Sequence, residues 1–70
     1  MWEQTARWSW SLDTNNMTGS ATVLEVEGGY HAKIVVKDQE YGMELANEKE
    51  FFEQRRKAVR FLKEKMDEAV

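Results

Sequence analysis

There is no cysteine and no proline among the 70 residues, and only one histidine. Without cysteine there are no disulfides and no thiolate metal cage, a composition that suits a reducing compartment. A lone histidine leaves carboxylates as the other ligands of any zinc site, which is an unfavourable donor set. No run approaches the roughly 20 apolar residues of a membrane span. The N-terminal segment, residues 1–8, lacks the basic and apolar regions of a signal peptide. A cytoplasmic protein without cofactor is expected. GxSxG, P-loop, GxGxxG, HExxH and calcium-loop patterns are also missing, and no serine or histidine has partners for a catalytic constellation. The expectation is therefore a protein that is not an enzyme.

What is present is a single change of period at Ala46–Asn47. Before it, apolar residues alternate: Ala6, Trp8, Trp10 and Leu12, then Tyr30, Ala32, Ile34 and Val36, then Tyr41, Met43 and Leu45. After it they recur at helical spacing through Phe51, Phe52, Ala58, Val59, Leu62, Met66 and Ala69. Alternation marks strands and a repeat of about 3.6 residues marks a helix. The fold class predicted is α+β, an antiparallel meander of three to four strands with one C-terminal helix on one sheet face. Residues 1–70 are expected to form one compact ββββα domain. A chain of this length buries only about 60% of its unfolded surface. Three Trp, three Phe and two Tyr are the material for a dense core.

The spacing predicts a first strand over residues 3–12, a loop over 13–19 and a second strand over 20–26. A three-residue turn of Glu27, Gly28 and Gly29 sets Val26 opposite Tyr30 and Leu24 opposite Ala32. A second hairpin sets Val36 opposite Tyr41 and Lys33 opposite Glu44. Asn47 with Glu50 forms a capping box at the predicted helix start.

The net charge is −3. Residues 1–46 carry three basic and seven acidic side chains, a net of −4, whereas residues 47–70 carry seven basic and six acidic, a net of +1. An acidic sheet and a basic mid-helix band follow, the band running through Arg55, Arg56, Lys57, Arg60, Lys63 and Lys65.

Two residues break their own pattern. Arg55 falls inside the apolar stripe; its stem is expected to pack on the sheet while its head reaches an acid, or else binds an anion. Phe61 points off the stripe, towards the end of the sheet, the Trp2 segment or a partner. Arg56, Arg60 and Lys63 line one exposed arc. His31 is expected to face away from the helix opposite Glu25. Trp8 and Trp10 are expected in the core. The partner-binding candidates are thus Arg56, Arg60, Lys63, Phe61, Trp2, Arg55, Glu25 and His31.

Small size, surplus aromatics and an acidic sheet face point to a protein-binding module, an inhibitor or adaptor docking on a larger protein. An accessory protein of viral or phage type fits that description. A nucleic-acid-binding domain using the mid-helix strip is the alternative reading, and a structural homodimer is a third.

Overall fold

The computed structural model describes residues 1–69. They form β1 (Trp2–Ala6), β2 (Ser9–Asp13), β3 (Met17–Val26), β4 (Gly29–Asp38), β5 (Glu44–Phe52) and α1 (Arg55–Glu68). The strands pair antiparallel in chain order, leaving β1 and β5 as edges. The helix lies on one face, chiefly over β4 and β3. This is the expected α+β meander with five strands rather than three or four. Among the described residues no helix is long and apolar enough to cross a membrane.

Three local predictions are corrected. The first strand, predicted as continuous over 3–12, folds back at Arg7–Trp8 into the β1–β2 hairpin. Tight hairpins normally turn through residues with positive φ. Among the described residues no non-glycine residue has one. The mismatch is taken up by a shift of register between Gln4 and Ala6, as a bulge does.

The β3–β4 turn has two residues, Glu27 and Gly28, with Gly28 at φ +86°. Val26 therefore opposes Gly29, Val23 opposes Ala32 and Ala21 opposes Ile34. This shift of one residue turns Val23 into the core and leaves Leu24 54% exposed. Glu25 now shares the helix-facing side with Tyr30, but at the end of β3, where it is exposed. An acid there needs no burial, so the register costs nothing.

The largest correction concerns residues 44–52. They form β5, with Ala46 opposite Val36, Glu48 opposite Ile34, Glu50 opposite Ala32 and Phe52 opposite Tyr30. Asn47 is a strand residue rather than a cap. The helix begins at Arg55 behind Gln54, which makes no side-chain capping bond.

The core is thin. Ala21, Val23, Ala32, Ile34 and Val36 from the sheet meet Ala58, Leu62 and Met66 from the helix, and Leu12 of β2 is buried as well. The three helical residues are four apart, one above the other on a single face. Ile34, Leu62 and Val36 are the largest fully buried side chains. Trp2 adds a tether: its indole Nε1 donates to the Met66 carbonyl at 3.2 Å. Gly19 makes room for that ring, since a Cβ there would lie 2.7 Å from Trp2 Cη2. Trp8 and Trp10 are partly buried against the same core.

Candidate binding surfaces

The face of the sheet opposite the helix is uncovered. Strand alternation and register set out its rows across β3, β4 and β5. One row is Leu24, His31 and Phe51; the next is Thr22, Lys33 and Lys49. Then come Ser20, Val35 and Asn47, and finally Thr18, Lys37 and Glu44. From β2, Ser9 and Ser11 extend two of these rows with further hydroxyls and Asp13 extends the Thr18 row with a carboxylate, Glu3 of β1 lying beyond Ser11. The Ser9 and Thr22 hydroxyls lie 3.0 Å apart.

This face is not the acidic one expected. Glu25, Glu48 and Glu50 share the helix side with core residues. Glu27 and Glu40 lie in turns. Lys33 opposes Lys49 and not Glu44, and His31 opposes Leu24 and Phe51 and not Glu25. The His31 and Phe51 rings meet edge-on at 5.9 Å. Like charges directly opposed across strands destabilise a sheet. Lys49→Glu is therefore expected to raise the urea midpoint, a gain of about 0.2–1 kcal/mol at unchanged m-value.

A second surface lies where the helix overhangs β5. An open notch of about 410 Å³ is floored by Met17, Ile34, Val36 and Ala46 and flanked by Leu45 and Ala69. Its polar rim is Glu48, Lys65 and Glu68. Lys65 Nζ lies 3.2 Å from Glu48 Oε1 and 4.0 Å from Glu68 Oε1. The hydrogen bond and charge of Glu48, then the charge of Glu68, hold the Lys65 pKa above 10.5. A raised lysine pKa means that this pairing is complete below the ordinary value and is lost only as pH rises through the raised one. At neutral pH Lys65 is therefore protonated. Leu45, on the lining of the notch, is 58% exposed, and Tyr41 and Met43, in the segment leading into β5, are 74% and 64% exposed. Their alternation was expected to form a strand on the core; Tyr41 instead lies in the β4–β5 turn and Leu45 in β5.

The helix carries the remaining candidates. Arg55 is half-buried, and its guanidinium carbon sits 4.9 Å from the Trp8 ring centroid and 5.0 Å from that of Tyr30. Arg7 lies 5.4 Å from the same indole. Arg55 thus rests on two aromatic faces, a cation–π arrangement; among the described residues it has no carboxylate partner within ion-pair distance. Arg56 donates from Nε to Gln54 Oε1 at 3.0 Å. Arg56, Arg60 and Lys63 are exposed, as expected of their arc. Among the described residues no ion pair closes between Arg60 and Glu64 or between Lys63 and Asp67, which stand i,i+4 along the helix, nor between Lys57 and Glu53, which precedes it.

Phe61 contacts the end of the sheet: its ring lies 5.4 Å from that of Phe52, with Lys65 Nζ 5.6 Å from its centroid. Trp2 is occupied by the core and by Met66. The structure therefore separates the eight candidates. His31 belongs to the uncovered face, Arg55 and Glu25 to the end where the helix starts, Arg56, Arg60 and Lys63 to the outer helix arc, and Phe61 and Trp2 to internal packing. Sequence reasoning missed Lys49 and Phe51 on the uncovered face, and Leu45 beside the notch. The exposure of Leu45 and Phe51 depends on the β5 register, which has no apolar alternation to announce it.

Among the described residues no three of His, Asp and Glu stand together as a metal site. Comparison with family models, curated proteins and solved structures returns no match.

Proposed function

We propose that the protein is a non-enzymatic binding module that docks on a larger protein through the notch between β5 and α1. The observation that carries this reading is the apolar floor of the notch with exposed Leu45 on its lining, in the strand that follows exposed Tyr41 and Met43. Exposed apolar surface rimmed by charge is what interaction sites present. The occupant that fits is a protein segment offering aliphatic or aromatic anchors to the floor, with its polar groups against Glu48, Lys65 and Glu68. Desolvated apolar anchors at the centre of such a contact supply most of its affinity. An inhibitor or adaptor, including an accessory protein of viral or phage type, needs no more machinery than this. Docking through an acidic sheet face is no longer part of the reading, because that face is not acidic.

The experiment places a photo-crosslinking residue at position 45 and captures partners from native extract, beside a Met43→Glu/Leu45→Glu variant. A defined partner cross-linked at position 45 in a stoichiometric complex is expected. The double variant is expected to weaken its capture by at least about tenfold, the effect of charging a buried anchor. Capture that survives the double variant but is lost in Arg56→Glu/Arg60→Glu would overturn the assignment. Light scattering of the purified chain decides the second-copy case: a mass of twice 8.2 kDa, lost in Met43→Glu/Leu45→Glu, would make the occupant another copy of this chain instead of a larger protein.

A further inference from the structure

We propose that the uncovered sheet face is a platform for single-stranded nucleic acid, with Lys33 and Lys49 taking phosphates and Phe51 stacking on a base. This surface lies on the opposite side of the sheet from the notch, so it stands or falls independently of protein docking.

The first support is charge. None of the positions around Lys33 on this face, across β3, across β5 or along β4, carries a carboxylate. Its direct neighbours across the strands are Thr22 and Lys49. Glu48 and Glu50 adjoin Lys49 in sequence but point to the helix side, as the Lys65–Glu48 contact shows. The chain is acidic overall, yet the centre of this face holds two cations without a counter-ion. Opposed lysines repel. A polyanion laid between them reverses that repulsion, which is charge complementarity of the kind that selects a partner.

The second support is the surface next to the charge. Phe51 is 47% exposed and stands one row from both lysines, held edge-on by His31. Bases stack on such rings without regard to sequence, while lysines track the backbone. Towards β2 the rows next to the lysines carry short hydroxyl side chains, Thr22, Ser20, Ser9 and Ser11, while the carboxylates of the face, Asp13, Glu3 and Glu44, lie towards its margins. The hydroxyl side chains leave a strand room to lie flat. Ser9 and Thr22 bond to each other, and Thr22 also donates to the Trp8 carbonyl, while the Ser11 and Ser20 hydroxyls are of a kind that can donate to and accept from base edges. A duplex buries its base faces in the stack and is read by an element inserted into a groove. An open sheet with one exposed ring suits unstacked bases instead.

The test is fluorescence anisotropy at low salt with labelled fifteen-nucleotide oligo-dT, oligo-U and a duplex of equal length, using the full chain. Saturable binding is expected for the single strands and weaker binding for the duplex. A preference between dT and U would identify which single strand the face takes. For two phosphates the log–log salt slope is expected near about −1.4. Lys33→Glu/Lys49→Glu should weaken binding by about tenfold or more, and Phe51→Ala by about fivefold or more. Arg56→Glu/Arg60→Glu should leave it unchanged. Lys49→Glu alone is the folding control: its thermal midpoint should equal or exceed that of the parent chain while its affinity falls. Absence of saturable binding, a duplex bound as tightly as the single strands, or a loss that follows Arg56 and Arg60 rather than the sheet face would each overturn the proposal.

Discussion

Leu62→Ala is expected to remove about 3 kcal/mol of stability, within the range for buried leucines that leave a cavity. A 70-residue chain has roughly 4–10 kcal/mol in total at typical values per residue. The substitution therefore removes roughly 30–75% of the margin. Leu62 is fully buried and stands midway between Ala58 and Met66 on the only helix of the described residues. The sheet side of the core contains Ala21 and Ala32 among its buried positions, so few large side chains share the work. Neighbours this small leave little that can collapse into a cavity. The thermal midpoint should fall by roughly 12–24 °C, at about 4–8 °C per kcal/mol for a domain of this size. Leu62→Met conserves volume and should cost less than about 1.5 kcal/mol. Equilibrium urea unfolding with both variants checks the pair. A loss below about 1 kcal/mol in Leu62→Ala would show that the helix does not seal the sheet as described.

The same thinness explains which parts of the fold were legible in the sequence. Tyr30, Ala32, Ile34 and Val36 alternate on a central strand covered by the helix, so their pattern is strong and their face was read correctly. Ala58, Leu62 and Met66 gave the helix face for the same reason. The period change placed strands before a helix but set the boundary eight residues early. Asn47, Glu48 and Glu50 resemble a helix start, and nothing local distinguishes that from an edge strand. β5 is an edge whose side chains are mostly exposed. Its inward positions Glu48 and Glu50 lie beside the helix rather than beneath it, so burial imposes no apolar alternation. Charged inward positions also protect an edge from pairing with another chain. The β1–β2 hairpin was hidden because Arg7 and Trp8 are not turn-forming residues.

Errors of register then propagated to the surfaces. Because side chains alternate, a shift of one residue at Glu27–Gly28 exchanged Val23 with Leu24 between core and solvent. Reading residues 47–52 as helix removed Lys49 and Phe51 from the sheet altogether. The outer face was accordingly expected to pair Lys33 with Glu44, when it opposes Lys33 to Lys49. Arg55 was recognised as anomalous from its place in the stripe, but its resting place between Trp8 and Tyr30 depends on the β1–β2 turn. Exposed candidates such as Arg56, Arg60 and Lys63 were legible because a helix arc depends on its period alone, not on pairing.

Gly29→Ala is expected to be the most damaging single-methyl addition on the sheet, for a reason unrelated to backbone freedom. A Cβ on Gly29 would lie 2.5 Å from the Phe52 carbonyl oxygen and 2.7 Å from Phe51 Cζ. The Phe51 ring can swing away, but the carbonyl belongs to the β4–β5 pairing and moves only if the end of the sheet opens. Overpacking of this kind typically costs about 1–3 kcal/mol. Gly28 is the internal contrast. It has φ +86° and open space around its would-be Cβ, so Gly28→Ala meets backbone strain of about 1 kcal/mol and no clash. Gly28→Asn should cost less, because asparagine tolerates the left-handed region. Urea midpoints should therefore fall in the order Gly28→Asn, Gly28→Ala, Gly29→Ala, from least to most affected. The distinction reaches function through Phe51. Gly29→Ala displaces the ring from its contact with His31 and so alters the uncovered face, whereas Gly28→Ala leaves the ring in place. Nucleic-acid affinity that falls with Gly29→Ala and not with Gly28→Ala, under conditions where both remain folded, would tie the position of that ring to binding. Equal affinities in the two folded variants would show that Phe51 takes no base.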